Sequence, residues 1–142
     1  MSEREESRKI RVVYIKPGEK PEIREMEDTL EACQEAVGGW IEMFQPFDDG
    51  TTIICNEEGK ANGMELNRLI EDDCGKVIDI IAGPFFICRV PDDSDRFESL
   101  TRGQAEKYMR KYRDPEYFTP TEHGILVNRI RPSRQKEKGR ER

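Results

Sequence analysis

The sequence has 142 residues, of which 35% are hydrophobic and 38% charged, with a formal net charge of −6. This length fits one domain, which buries enough surface to fold without a metal ion or a disulfide bond. The longest nearly apolar run, residues 80–88, is too short for a transmembrane helix and is interrupted by Gly83-Pro84. Because the charged start of the sequence also lacks the apolar stretch of a secretory signal, we expect a cytoplasmic protein with no membrane partner.

Two strands and a helix are predicted at the start of the sequence. Residues 9–16 alternate β-branched and polar side chains, which is typical of a strand, and residues 22–26 are expected to form a short edge strand. Asp28 and Glu31 have the spacing of a capping box, so a helix is expected to begin at this point. Gly38-Gly39 is expected to end it.

The middle of the sequence is predicted to be mostly strand. Two strand-like segments, residues 40–47 and 51–57, flank Asp48-Asp49-Gly50, a strong hairpin signal. A short helix or turn is expected around residues 64–70. Gly83-Pro84 then separates two apolar, β-rich segments, which indicates either a bend in one long strand or a tight connection between two. These segments are residues 77–82 and 85–90.

One further helix and one further strand are predicted near the C-terminal end. After a polar loop at residues 92–99, Thr101 and Gln104 have the spacing of a second capping box. The helix behind it is expected to end at Asp114-Pro115, and residues 125–130 are expected to form a last short strand. These elements predict an α+β fold, with a largely antiparallel sheet of about five to six strands and two main helices packed on one face.

Charge is distributed unevenly along the sequence. Residues 129–142 contain seven basic and two acidic side chains, a net charge of +5, so the total of −6 leaves −11 for residues 1–128. An acidic body repels nucleic-acid phosphates, so contact with nucleic acid is expected only through the basic tail. We expect a disordered leader at residues 1–8, one α+β domain at 9–131 and a basic disordered tail at 132–142.

The cysteines are widely spaced and form no CxxC pair, which indicates reduced thiols in a cytosolic protein. The only histidine, His123, has no partner nearby that would complete a zinc site. We therefore expect no metal ion and no cofactor. The four cysteines are Cys33, Cys55, Cys74 and Cys88.

The first candidate binding segment is Gly38-Gly39-Trp40-Ile41-Glu42. Two adjacent glycines allow the backbone to approach a ligand closely and could leave amides free to meet an anion or a ring. The alternative is a helix cap followed by a strand with one core tryptophan. Glu42 lies in the middle of a predicted strand, where a carboxylate either faces solvent or pairs with a buried donor.

The second candidate segment is residues 56–60, NEEGK, with Asn67 and Arg68 shortly after it. Its amide, carboxylate and cationic groups could bind a polar ligand, with Lys60 or Arg68 meeting a phosphate or carboxylate. The alternative is a solvated turn whose asparagine caps the next helix. Glu57 and Glu58 would point to opposite faces of an extended segment, which argues against a shared acid–base pair.

Four segments of the sequence together indicate a family: DTLEACQEAVGGWIE (28–42), TIICNEEGK…NGMELNR (52–68), DIIAGPFFI (79–87) and SLT before a capped helix (from 99). On these segments the sequence resembles the domain of unknown function 3846 family over residues 9–131. The resemblance implies an accessory protein of gut bacteria, their mobile elements and phages, and it implies no established reaction. Relatives often carry Gly-Thr where this sequence has Gly83-Pro84. The family signature falls on Gly38, Gly39, Glu42, Asn56, Glu57, Glu58, Gly59, Lys60 and Asn67.

These observations favour a non-catalytic protein that binds a small nucleotide-like or anionic ligand. In a phage or mobile element, such a protein could sequester an immune signal and so act against host defence. The alternative is an acidic inhibitor that binds a host defence or DNA-binding protein. A third hypothesis is an enzyme that uses Glu42 or Glu58 as a base. A homo-oligomer is a further possibility. The residues expected to bind the ligand are Gly38, Gly39, Trp40, Glu42, Asn56, Glu57, Glu58, Lys60, Asn67 and Arg68.

Overall fold

The computed structural model describes residues 8–91 and 96–129, which form nine strands and two helices. In chain order these are β1 (Lys9–Ile15), β2 (Glu22–Glu27), α1 (Leu30–Val37), β3 (Ile41–Phe44), β4 (Thr51–Asn56), β5 (Leu66–Glu71), β6 (Val77–Ala82), β7 (Phe85–Arg89), α2 (Arg102–Lys111), β8 (Glu116–Thr121) and β9 (Gly124–Arg129). Every strand pair described is antiparallel, which confirms the predicted α+β class. Except for Arg8, the predicted leader lies outside the described residues, as does the predicted tail at 132–142.

Five strands form the main sheet in the order β2-β1-β7-β4-β3. β7 is central because its sequence, FFICR, is apolar on both faces, and its first four residues are buried. Ile87 of β7 lies opposite Val13 of β1 on one side and Ile53 of β4 on the other. At the edge of the sheet β3 pairs with β4, which confirms the hairpin predicted around Asp48-Asp49-Gly50.

The two faces of this sheet pack against different helices. Ile10, Val12 and Tyr14 of β1 belong to the core cluster that contains α1 residues, whereas Val13 and Ile15 belong to the cluster with α2 residues. The prediction of two helices on one face is therefore met only in part, because each helix packs on the sheet but on opposite faces. Strands that are apolar on both faces do not indicate which face a helix will cover.

The helix or turn expected around residues 64–70 is instead strand β5, which pairs with β6 in a separate two-stranded sheet. The strand was not recognised for two reasons. The apolar residues Leu66, Leu69 and Ile70 have the spacing of a helix, and register shifts at both ends of β5 interrupt the alternation expected of a strand. This hairpin packs on the α2 side of the main sheet. Gly83-Pro84 leads from β6 into β7 of the main sheet, so it is the tight connection between two strands.

A third antiparallel pair, β8 and β9, follows α2. Only its second strand was predicted, at residues 125–130, the last of which lies outside the described residues. β8 was missed because its sequence, EYFTPT, is mostly polar and contains a proline. Glu116 ties β8 to its neighbours, since its two carboxylate oxygens accept hydrogen bonds from the Leu69 amide of β5 and the Arg129 guanidinium of β9, both at 2.8 Å.

The helix ends agree with the sequence at α2 and differ at α1. Thr101 and Gln104 form the predicted capping box, each side chain accepting from the other residue's amide at 3.1 Å. At α1 the cap is Thr29, whose hydroxyl accepts from a first-turn amide at 3.1 Å. Asp28, the expected cap, instead pairs with Arg8 at 3.1 Å. No helix in the described ranges has the length and apolar character needed to cross a membrane.

Asp49 connects the β3–β4 turn to α2. Its carboxylate accepts hydrogen bonds from the Thr51 amide (3.2 Å), the Tyr108 hydroxyl (2.6 Å) and the Lys107 ammonium (3.2 Å), and its carbonyl accepts from Gln104 (2.9 Å). Burial alone would raise the pKa of Asp49, but the hydrogen bonds to its carboxylate outweigh burial and lower it. The charged form of this side chain therefore stabilises the fold.

We expect Asp49→Asn to lower the free energy of unfolding by about 2 kcal/mol at pH 7, because hydrogen bonds to a charged acceptor are lost. Since the pKa is lower in the folded than in the unfolded state, this stabilisation is present above about pH 4 and is lost as pH falls through the folded pKa. The gap between wild type and variant should shrink from pH 7 to pH 3 in urea titrations. Asp48→Asn, at an exposed neighbouring residue, is the control. If the difference in unfolding free energy between wild type and Asp49→Asn is the same at pH 7 and pH 3, the charged form of Asp49 does not stabilise the fold.

Candidate functional site

A hollow of about 310 Å³ lies between the end of β4, the loop after it and β6. It is lined by Glu42, Cys55, Asn56, Glu57, Glu58, Gly59, Lys60, Ala61 and residues 79–82, and we call it the acidic hollow. Half of the predicted site residues line it, namely Glu42, Asn56, Glu57, Glu58 and Lys60. The structure therefore brings β3 and the NEEGK loop to one cavity and adds β6 as its opposite wall.

Asn56, the last residue of β4, holds the loop in place. Its side chain is buried, its amide nitrogen donates to the Val37 carbonyl (3.2 Å), and its amide oxygen accepts from the Glu58 amide (2.8 Å). These two bonds tie the end of α1 to the start of the loop. Asn56 therefore acts mainly by positioning the loop residues that line the hollow.

The glycine pair caps α1. Gly38 has a φ of +83°, a left-handed conformation that favours glycine, and ends the helix as predicted. The amides of Gly38 and Gly39 both donate to the Gln34 carbonyl, at 2.8 and 3.1 Å. Because these amides are already hydrogen-bonded, they are not free to meet an anion.

Trp40 lies beside the acidic hollow without lining it. Its carbonyl accepts a hydrogen bond from the Glu57 amide at 2.8 Å, which joins the start of β3 to the loop. Its side chain is 70% exposed, so the alternative of a core tryptophan is not observed. The two candidate segments are neighbours, but the indole is not one of the groups that enclose the hollow.

Asn67 and Arg68 lie in the core, away from the acidic hollow. The Asn67 side chain donates to two backbone carbonyls, at 2.8 and 3.0 Å. The Arg68 guanidinium is fully buried and donates to the Tyr112 carbonyl (2.9 Å), the Glu19 carbonyl (2.7 Å) and the Asn67 side chain (2.8 Å). Burial lowers the pKa of Arg68. Both residues connect distant segments of the fold rather than face a cavity with Lys60.

Carboxylates outnumber cations around the hollow. Among the described residues, four carboxylates line it, those of Glu42, Glu57, Glu58 and Asp79, together with one cation, Lys60. The Lys60 ammonium lies 2.6 Å from the Asp79 carboxylate. Four carboxylates and one ammonium give a net charge of −3. This charge disfavours the anionic ligand expected from the sequence and favours ligands that present hydrogen-bond donors or positive charge.

The floor of the hollow is mostly apolar, with Cys55 and residues 80–82. Burial, with smaller contributions from the nearby Glu42 and Asp79 carboxylates, raises the pKa of the Cys55 thiol to about 12, and Lys60 offsets only part of this rise. The thiol is therefore protonated at neutral pH and is a poor nucleophile. Within residues 8–91 and 96–129, no group of three or more His, Cys, Asp or Glu side chains is arranged to hold a metal ion.

Sequence reasoning missed the β6 wall of the hollow. Asp79 is the only charged residue of VIDIIA, and a lone carboxylate in an apolar strand was the signal that could have identified it. Gly59 belongs to the NEEGK segment and to the family signature but not to the residues expected to bind the ligand, and a Cβ atom there would lie 2.6 Å from the Ala82 carbonyl oxygen. The glycine therefore allows the loop to approach β6 closely enough to close the hollow.

A protein-family model described as Domain of unknown function (DUF3846) matches residues 10–113. This match covers the main sheet except Lys9, both helices and every residue of the acidic hollow, and it ends before the β8–β9 hairpin. No curated protein and no solved structure matches the chain.

Proposed function

We propose that this chain, which belongs to the DUF3846 family, is a non-catalytic binding protein that holds a small nucleotide-like ligand in the acidic hollow. The observation that carries this proposal is the combination of an apolar floor with a rim of carboxylates. A flat heteroaromatic base with amino groups matches both parts, because its face can cover apolar side chains while its edge donates to carboxylates. The volume is within the lower range of small-molecule sites.

The charges indicate how such a ligand would be oriented. Glu42, Glu57 and Glu58 form no ion pair with any residue that the structure describes, so their oxygens can accept from amino and ring N–H groups. The Lys60–Asp79 pair joins the loop to β6 and closes the remaining side. Any phosphate group of the ligand would point outward, away from a lining with a net charge of −3.

The proposed biological role requires only that the protein binds its ligand, without catalysing a reaction. A protein that holds a nucleotide-like signal lowers its free concentration, so in a phage or mobile element it would act against host defence from within the bacterial cytoplasm. This part of the proposal rests on what the sequence resemblance implies, an accessory protein of phages and mobile elements. A protein expressed in excess of the signal would be enough for this effect.

A second candidate function is supported by the edge of the main sheet at β3, which pairs with β4 alone among the strands of the described residues. Trp40 and Met43 are 70% and 51% exposed there, beside the carboxylates of the hollow. An exposed aromatic and apolar pair next to negative charge suits a basic protein partner. Such a complex should dissociate as salt rises, whereas a base stacked in the hollow should remain bound.

Nucleoside titrations test the first function. We expect adenosine, cytidine or guanosine to bind more tightly than uridine, which has no exocyclic amino group to donate to the rim. Glu42→Gln should weaken the best nucleoside about tenfold, the loss of one charge-assisted hydrogen bond. Glu27→Gln, on the exposed surface of β2, makes the same charge change outside the hollow and should bind like wild type.

Calorimetry at constant ionic strength measures these dissociation constants. The proposal fails if no nucleoside binds, or if Glu42→Gln and Glu27→Gln bind with the same affinity.

A further inference from the structure

A second cavity, of about 290 Å³, lies at the C-terminal end of α2 against β5, β8 and β9. We call it the basic cavity, because four cations and three carboxylates of the described residues line it, whereas the whole sequence has a net charge of −6. Two of the cations are already paired, Arg113 with Asp114 (3.2 Å) and Arg129 with Glu116 (2.8 Å). The other two cations are Arg110 and Lys111.

Arg110 and Lys111 supply the positive charge that is not neutralised. The Arg110 side chain makes no ion pair or hydrogen bond with any residue in the described part of the chain. The Lys111 ammonium lies over the rings of Phe47 and Tyr112, 5.4 and 5.9 Å from their centres, and is otherwise unpaired among these residues. Both are exposed, so an anion can reach them without rearranging the core.

The end of a helix normally carries partial negative charge, which would repel an anion. Here the buried Arg68 guanidinium donates to the Tyr112 carbonyl through two nitrogens, at 2.9 and 3.3 Å. A full positive charge therefore lies against the carbonyl of Tyr112, the residue that caps the C-terminal end of α2. This charge offsets the partial negative charge of the helix end.

The Tyr112 hydroxyl is a buried donor without a partner in the described residues. Tyr112 lines the basic cavity and is 3% exposed. Burial raises the pKa of its phenol, and the carboxylates of Glu116 and Glu71, which line the same cavity, raise it further. The phenol is thus protonated and able to donate, and an unpaired buried donor is unfavourable until something accepts from it.

We propose that the basic cavity binds a small phosphate-type oxyanion, which accepts a hydrogen bond from the Tyr112 hydroxyl while Arg110 and Lys111 offset its charge. A tetrahedral oxyanion presents acceptors in several directions, so it can meet an inner hydroxyl and outer cations at once. This site is separate from the acidic hollow in its residues and in the sign of its charge.

Tyr112→Phe is the decisive variant. Because the hydroxyl has no partner among the described residues, we expect Tyr112→Phe, measured by urea titration in the absence of phosphate, to be as stable as wild type or more stable. Its affinity for inorganic phosphate, followed by NMR titration, should fall about fivefold or more. Arg110→Gln with Lys111→Gln should reduce the response to phosphate to that of an equal ionic strength of chloride.

Arg102→Gln is the matched control, since Arg102 is an exposed cation at the opposite end of α2. It should bind phosphate like wild type. The proposal is overturned if phosphate shifts the spectrum no more than chloride, or if Tyr112→Phe binds phosphate as tightly as wild type. Inorganic phosphate contains no base and nucleosides contain no phosphate, so this test and the test of the acidic hollow can fail independently.

Discussion

Arg68→Met is expected to lower the free energy of unfolding by about 3 kcal/mol. The Arg68 guanidinium is fully buried and satisfies the carbonyls of Tyr112 and Glu19 and the side chain of Asn67. Met fills much of the aliphatic volume but leaves these acceptors unpaired, at a cost of about 1–3 kcal/mol each. Removing a buried charge offsets part of that cost, so the expected loss is smaller than the sum.

Urea unfolding at pH 7 measures this loss, and Arg102→Met provides the control. The Arg102 side chain is 92% exposed, and its one ion pair within the described ranges is with Glu106, at 3.6 Å, so its replacement should change stability by less than about 0.5 kcal/mol. Arg68→Lys should fall between the two, because it keeps the charge but lacks the planar fork that reaches several carbonyls. A loss below about 1 kcal/mol in Arg68→Met would show that the buried network contributes little.

The elements that the sequence predicted correctly have local signals. The first strand follows from alternating side chains over residues 9–16, the cap of α2 from Thr101 and Gln104, and the β3–β4 hairpin from Asp48-Asp49-Gly50. Each signal involves residues only a few positions apart. Such patterns can be recognised in a sequence because the interactions that stabilise each turn, cap or strand involve residues close together in the chain.

Arg68 shows why other parts could not be predicted. A charged residue in a sequence indicates solvent exposure, and Arg68 was accordingly expected to meet a phosphate or carboxylate of the ligand. Its burial depends on carbonyls of Glu19 and Tyr112, which are 49 and 44 positions away. The placement of the two helices on opposite faces has the same origin, since it depends on contacts that no local pattern records.

The candidate site was predicted in part for the same reason. Neighbours in sequence, such as Asn56 and Lys60, were expected together and do line one hollow. The opposite wall comes from β6, joined through a Lys60–Asp79 contact across 19 positions. Because that contact neutralises Lys60 and because Arg68 lies in the core, the ligand class inferred from these two cations changes from anionic to donor-rich.

Gly59→Ala is expected to disrupt the acidic hollow directly. A Cβ atom at residue 59 would lie 2.6 Å from the carbonyl oxygen and 3.3 Å from the carbonyl carbon of Ala82. These are backbone atoms of β6 and cannot yield as a flexible side chain would, so the loop must move away from the strand. We expect a loss of about 2 kcal/mol in unfolding free energy. Nucleoside affinity should fall at least tenfold, because the Lys60–Asp79 contact and the rim carboxylates move with the loop.

Gly103→Ala separates this steric effect from a general effect of adding a methyl group. A Cβ atom at Gly103 of α2 would meet nothing within 4 Å, so this variant should be more stable by about 0.5–1 kcal/mol, as for alanine in a helix. It should also bind nucleosides like wild type. Calorimetry and urea titration on both variants give the comparison. A Gly59→Ala protein that is less stable yet binds nucleosides unchanged would place the binding site away from the contact between the loop and β6, and the acidic hollow would no longer be the candidate.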